Sequence, residues 1–416
     1  MSVALSVRDF RRVWVGNLAA SFAMNMQMLA RGWFVYTLTA SPLDLAWVMM
    51  SFTVPQIALS LWGGVVADRL PKRLILVAAQ LLNGIATVAM AVIILLGIAN
   101  FWHFVWFGVF NGAVLALSIP ARNAYIADLV DRTYFITAMA LNTSGMNLAR
   151  IVAPMLAGLL IALLAGGDTT DSFGVGVVYL VITALYLVAA GATLLIRTKG
   201  TRHGEATGSR HVDDMIEGLR YVVQNPPVFA LILLSIVPFL FGMTLSTLIP
   251  AFNQDILGGG PDDLGYLMSA MGVGAIVGSL MLAAAGDFRR KGAWVIGTCF
   301  AWAASTTLFG LSTGFVLAAC AVAAYGWLSS VNMSLNRGLI QTVVEPRMRG
   351  RVMSIDMMSH GLMPLGVIPI SIVAEYTDVA VALVVSGFVF AAALGVLLWW
   401  SAAVRRLDRW LRVRSR

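Results

Sequence analysis

Asp356 and His360 stand one helical turn apart, followed by Pro364, inside a stretch that is otherwise apolar. An ionisable residue in such a stretch costs a few kcal/mol or more, so it is kept where it faces a protein interior or an aqueous cavity. The chemistry open to this pair is uptake and release of a proton, with neutral packing as the alternative for His360. Arg150 shares a helical face with Thr143, Asn147 and Pro154, about 20 Å from the start of its apolar run at 1.5 Å per residue. A guanidinium at that depth either meets an anionic group of a ligand or belongs to an interhelical network. Near the N-terminus Asn17, Ser21 and Asn25 recur at i, i+4 spacing, and so do Gln27 and Arg31. Amides there read either as the wall of a central cavity or as hydrogen-bonding partners between helices. Arg31, near the end of its run, could also snorkel to the surface. Met24, Met26, Met28, Met353, Met357, Met358 and Met363 surround these groups, and flexible thioethers suit a wall that accepts several amphipathic shapes.

The elements that must carry these residues are membrane helices. Of 416 residues 59% are hydrophobic and only 12% charged, and the mean hydropathy is +0.86, which excludes a soluble domain. Twelve apolar runs are long enough to cross about 30 Å of hydrocarbon: 13–37, 45–67, 74–97, 102–126, 135–164, 175–196, 227–251, 263–285, 293–312, 315–342, 352–374 and 380–403. The net charge of +8 is distributed as topology determinants, not as a nucleic-acid surface. With both termini inside, every second segment holds the basic residues, from Arg8, Arg11 and Arg12 to the six arginines after position 404. The opposite loops hold Asp44, Asp168, Asp171, Asp255, Asp262, Asp263, Glu375 and Asp378 but neither Lys nor Arg. This predicts an all-α integral membrane protein with cytoplasmic termini in the inner (plasma) membrane and no cleaved targeting segment.

The expected organisation is a six-helix bundle over 1–197, a cytoplasmic linker over 198–225, a second bundle over 226–403 and a basic tail over 404–416. In the linker Val212, Ile216, Leu219 and Val223 recur at helical spacing, which predicts an amphipathic helix on the inner membrane surface. The tail, with Val404, Leu407 and Leu411 on one side, is expected on the anionic inner leaflet. The halves echo each other. SIPARNAYIADLVDR at 118 precedes the fifth run and MSLNRGLIQTVVEPR at 333 the eleventh, so Arg122 answers Arg337, and ADRLPKR after the second run is echoed by GDFRRK at Asp287.

Between the second and third runs lies GGVVADRLPKR, with Gly64, Asp68, Arg69, Lys72 and Arg73 in the order G-x-x-x-D-R-x-x-K-R. This resembles the signature loop of the major facilitator superfamily, with Pro71 where that family usually has Gly; both suit a turn. YTLTASPLDLAWV, IPARNAYIADLV, NLARIVAPMLAGLL and RMRGRVMS followed by GLMPLG extend the resemblance over nearly the whole chain, to the branch of enterobactin exporters and macrolide-efflux proteins. The resemblance implies two pseudo-symmetric six-helix bundles with binding and gating between them. It also implies that Asp68 lies beside the helix start at Arg349 and Arg351, a contact that would latch one closed state, with Arg122 as a second partner.

The expected function is therefore secondary active export of small amphipathic molecules, of drug, macrolide or siderophore type, by alternating access with protons as the coupling ion. An importer of a small metabolite, or a non-transporting receptor or scaffold, is the alternative. No Walker A string occurs and no H-E-x-x-H or Ser/His/Asp set converges, so neither ATP use nor an enzyme is expected. Cys299 and Cys320 lie apart inside apolar runs, which suggests neither a disulfide nor a metal site. No cofactor and no nucleic-acid partner is expected, and a monomer is. The expected substrate-contacting residues are Asn17, Asn25, Gln27, Arg31, Asn147 and Arg150; the expected proton-coupling pair is Asp356 and His360. The gating set is Gly64, Asp68, Arg69, Lys72, Arg73, Arg122, Arg337, Arg349 and Arg351.

Overall fold

The structure is a computed structural model, and it describes residues 8–130, 134–165, 172–196, 211–286 and 288–414. Among these residues it is helical without strands, as apolar backbone in lipid requires, because a helix satisfies its own N–H and C=O groups. Among the described residues ten helical stretches are long and apolar enough to cross a membrane. α1 (Arg8–Thr39) and the pair α2 (Pro42–Ala58) and α3 (Ser60–Arg69) occupy the positions of the first two expected runs. Then follow α4 (Lys72–Leu95), α5 (Phe101–Leu129), α6 (Phe135–Leu164) and α7 (Ser172–Leu194). The surface carries large apolar side chains such as Trp62, Trp102, Trp106 and Trp399, the last 81% exposed. Such a surface is stable only against lipid, and tryptophans at helix ends suit the headgroup level. Short connections are fixed by side-chain caps: Asn100 accepts from the His103 N–H while His103 accepts from the Asn100 N–H, both at 3.2 Å.

By packing, the chain divides into two compact units, one of residues 1–207 with 259–269 and one of 208–258 with 270–416. In the first, α1 packs on α6 and α7, α4 on α7, and α2 on α5. The α2–α5 contact is backbone on backbone, since a Cβ on Gly112 would lie 2.1 Å from the Phe52 carbonyl oxygen. At one end of this unit Phe10, Leu76, Tyr125 and Ile126 form a buried cluster. Lys72 Nζ donates to Asp128 Oδ2 at 2.7 Å and ties the start of α4 to the end of α5.

The second unit begins with α8 (His211–Gln224) and continues with α9 (Pro226–Val237), a π turn (Pro238–Gly242) and α10 (Thr244–Asp255). After α11 (Pro261–Ala285), whose first turns belong to the first unit, come α12 (Lys291–Gly310), α13 (Phe315–Val343) and α14 (Arg349–Met358). A 3-10 turn (Ser359–Leu362) leads into α15 (Met363–Tyr376), followed by α16 (Val379–Trp400), α17 (Ala402–Arg405) and α18 (Leu407–Arg414). Besides the run at 45–67, split into α2 and α3, two runs of this unit expected as single helices are thus interrupted. Pro238 has no N–H to give to the carbonyl one turn back, and the ladder widens there; Pro364 has the same defect, and the ladder tightens before it. The two interruptions pack together so closely that a Cβ on Gly366 would lie 1.4 Å from the Leu240 carbonyl oxygen.

Two peripheral elements are held by charge. Glu217 on α8 receives Arg351 at 2.7 Å and Arg347 at 3.9 Å, which docks α8 onto α14. Asp408 accepts from the Gly292 and Ala293 N–H groups at 2.8 and 3.1 Å and caps the start of α12. Val404 and Leu407 are each 1% exposed. Those two apolar side chains of the tail are thus buried in protein, not directed at a leaflet.

Candidate functional site

Inside the first unit α1, α4, α5, α6 and α7 line an open-mouthed cavity of about 270 Å³. Successive turns of α1 put Ser21, Met24, Asn25 and Met28 on its wall. α4 adds Gln80 and Asn83, α5 Ser118 and Arg122, α6 Met146 and Arg150, and α7 Tyr186. Asn25 and Arg150 thus meet at one cavity, joined by Arg122, which the sequence had suggested as a partner of Asp68. Among the described residues the wall contains no Asp or Glu.

The remaining polar residues of α1 lie elsewhere. Asn25 and Gln27 are two positions apart, about 200° around the helix, so they cannot face the same space. Gln27 donates to Asn111 at 3.2 Å and accepts from the Tyr186 hydroxyl at 3.4 Å. Arg31, 5% exposed, lies against the Met49 sulfur at 3.5 Å and over the Phe52 ring at 5.2 Å. Asn17 donates to Asn142 at 3.1 Å. All three, expected on the cavity wall, instead join helices within the unit. Asn147 is half-buried and off the wall.

The second unit holds a cluster between α9, α13 and α14. Asp356 is fully buried and accepts from the Ser235 hydroxyl at 2.5 Å. Arg337 Nε stands 3.4 Å from the other carboxylate oxygen, a charge contact without hydrogen-bond geometry. The same guanidinium reaches His360 Nε2 at 3.0 Å. Arginine has only donors, so Nε2 accepts; the second ring nitrogen then carries the proton, which it donates to the Met357 carbonyl at 3.0 Å. The ring lies 3.8 Å from that of Phe239. Arg337, expected as a gating residue by symmetry with Arg122, thus bridges the two titratable groups. Its distance in sequence from Asp356 and His360 gave no local signal, and Ser235 gave none either.

Of the expected gating loop, Lys72 is engaged with Asp128, and Arg73 donates to the Leu194 carbonyl. Arg69 is exposed. The surroundings of Gly64, the side chain of Asp68 and the whole of Asp287 lie outside the described residues. Arg349 donates to the Val344 carbonyl at 3.2 Å, and Arg351 is engaged with Glu217. Cys299 is buried and Cys320 exposed, and no metal-holding group of His, Cys, Asp or Glu occurs among the described residues.

Comparison with known proteins places these features in context. A family profile described as transmembrane secretion effector matches residues 3–411. The chain is 24% identical over 374 residues to the staphyloferrin A transporter of Staphylococcus aureus, covering 87% of each. It is 26% identical over 290 residues to the enterobactin exporter EntS of Escherichia coli, covering 70% of this chain and 67% of that one. Among solved structures, nucleoside transporter NupG superposes with a TM-score of 0.74 at 15% identity, over 94% of this chain and 98% of the other. A bacterial homolog to the human lysosomal transporter Spinster gives 0.70 at 15% identity over 96% of each. At such identities the likeness to the solved structures is one of fold.

Proposed function

The chain belongs to the transmembrane secretion effector family of the major facilitator superfamily, and from that premise we propose that it exports small amphipathic molecules by alternating access, driven by proton antiport. The observation that carries the reading is the cavity lined by α1 and α4 to α7, in which Met24, Met28 and Met146 lie beside Asn25, Asn83 and Tyr186. A wall of mixed thioether and amide character accepts molecules with both apolar and polar surface. The names of the relatives, a staphyloferrin A transporter and an enterobactin exporter, support a siderophore-type substrate and outward movement.

Coupling is assigned to Asp356 and His360 with Arg337 between them. A proton arriving at His360 Nε2 displaces the guanidinium, and a proton on Asp356 removes its counter-charge. Either event frees Arg337 to move, which gives two protonation states with different packing between the broken helices. In this reading both termini are cytoplasmic, in the inner membrane. The test is uptake of dyes, macrolides and catecholate siderophores into everted and right-side-out vesicles. Accumulation in everted vesicles that collapses with a protonophore is expected. Accumulation only in right-side-out vesicles means import, and transport that needs ATP but ignores the protonophore removes the coupling assignment.

A further inference from the structure

The arginines of this chain inside helices fall into two kinds. Arg337 has Asp356, and Arg31 is covered by Met49 and Phe52. Arg122 and Arg150 differ. Both line the cavity of the first unit, and neither has a hydrogen bond or ion pair with a described residue. Arg122 Nε is buried without a partner, and so is the amide oxygen of Asn83 on the same wall. A guanidinium in a helical bundle is costly unless water or a partner compensates it. Arg150 is exposed, where water can meet it, and Arg122 is half-buried. Among the described residues the wall contains no carboxylate, and its other polar groups are amides, hydroxyls and the Tyr186 phenol.

We infer that this cavity is an anion-selective site in which Arg122 and Arg150 hold two oxyanion groups of one small amphipathic substrate, whose apolar body lies along Met24, Met28 and Met146. The inference deepens the transport reading and rests on it for the word substrate, while the charge preference of the cavity stands by itself. Planar carboxylate or catecholate groups match a guanidinium in paired N–H···O contacts. Two anchors on different helices, α5 and α6, select for the spacing between two such groups and against cations. At about 270 Å³ the cavity sits at the small end of ligand pockets, which run from about 300 Å³. That size suits a compact di-anion or the charged head of a larger molecule. An anionic lipid headgroup offers the same chemistry, and the experiment must separate the two sources.

The test uses the full chain with Cys299 and Cys320 replaced by Ser, in nanodiscs of phosphatidylcholine, with Met24→Cys or Met146→Cys as reporter. Each reporter is reacted with a sulfonate-bearing and a quaternary-ammonium methanethiosulfonate reagent, every rate normalised to that of 2-mercaptoethanol. Two cations at the reaction site act with opposite sign on the two reagents, so a preference for the anion of roughly tenfold or more is expected. It should vanish in Arg122→Gln with Arg150→Gln and persist in the paired Lys variants. A ratio near one, a ratio that survives the Gln variants, or absence of reaction with both reagents overturns the inference. Phosphatidylglycerol in the nanodisc should leave the preference in place. Loss of preference there assigns the site to a lipid headgroup and also overturns it. Failure of vesicle transport with the ratio intact refutes the transport reading alone.

Discussion

Replacing Asp356 with Asn separates the two tasks assigned to the second unit. The amide oxygen can still accept from Ser235, 2.5 Å away, and the shape is conserved, so packing around the site should survive. What is lost is the charge facing Arg337. Breaking a fully buried pair costs about 3–5 kcal/mol. Here the Asp356 side chain is 0% exposed but that of Arg337 is 39% exposed, and their 3.4 Å contact lacks hydrogen-bond geometry. The smaller range of about 1–3 kcal/mol is therefore appropriate. Since about 1.4 kcal/mol is a factor of ten in an equilibrium, the state that depends on the pair falls roughly five- to 150-fold in relative population. The assay is transport in proteoliposomes, with substrate exchange and accumulation driven by a pH gradient measured side by side. Exchange should persist while gradient-driven accumulation falls by about fivefold or more. Undiminished accumulation by Asp356→Asn refutes the coupling argument; equal loss of exchange and accumulation makes Asp356 a structural residue. Asp356→Ala, which strands both Ser235 and Arg337, should in addition lower the melting temperature.

Lys72→Met removes one partner of Asp128 from a 2.7 Å contact in which both side chains are nearly buried, and should destabilise the purified protein by about 1–3 kcal/mol. Adding Asp128→Asn should restore part of that loss, as thermal unfolding would show through a coupling energy in the double-mutant cycle. Gly366→Ala places a methyl group 1.4 Å from the Leu240 carbonyl and should sharply reduce folded protein in the membrane, whereas Gly395→Ala, with nothing within 4 Å, should match the parent in a fluorescence-detected size-exclusion profile. Asp408→Ala uncaps α12 and should cost about 0.5–2 kcal/mol in thermal stability without changing the transport rate.

Hydropathy located most of the helices, because a run of apolar residues must solve its backbone hydrogen bonding by itself. It was blind to the π turn after Pro238 and the 3-10 turn before Pro364, since both alter hydrogen-bond register and leave composition unchanged. Asn25 and Arg150 were legible as cavity residues by depth and polarity. Gln27 and Arg31 have the same polarity, but the 100° step of the helix sends them to the other side, where Asn111, Tyr186 and Phe52 receive them. Arg337 was grouped with the gating residues by its symmetry with Arg122, and nothing local in sequence announced its neighbours. Its symmetry mate Arg122 lines a cavity without a counter-ion, while Arg337 meets Asp356 and His360, and duplicated sequence does not preserve partners.

The π turn at Pro238–Gly242 has a bearing on how this segment tolerates changes of length. Such a turn carries one residue more than the α-helical register around it. Deleting one of the five would let the helix close up into regular α-helix with its two flanks still in the same rotational relation, because the widened turn already absorbs the step of about 100° that the extra residue adds. On one flank Ser235 reaches Asp356; on the other Leu245 and Leu248 are fully buried, and the Tyr325 hydroxyl holds the Gly242 carbonyl at 2.9 Å between them. Both flanks can keep these contacts; what changes is the turn itself, where the Leu240 carbonyl meets Gly366. A gene carrying a single-codon deletion here would encode a continuous, apolar helix long enough to span the bilayer, with its flanks addressed to the same neighbours and only the seam with the other broken helix remade. The segment is thus tolerant of losing a residue at this one place and at no place where the ladder is regular.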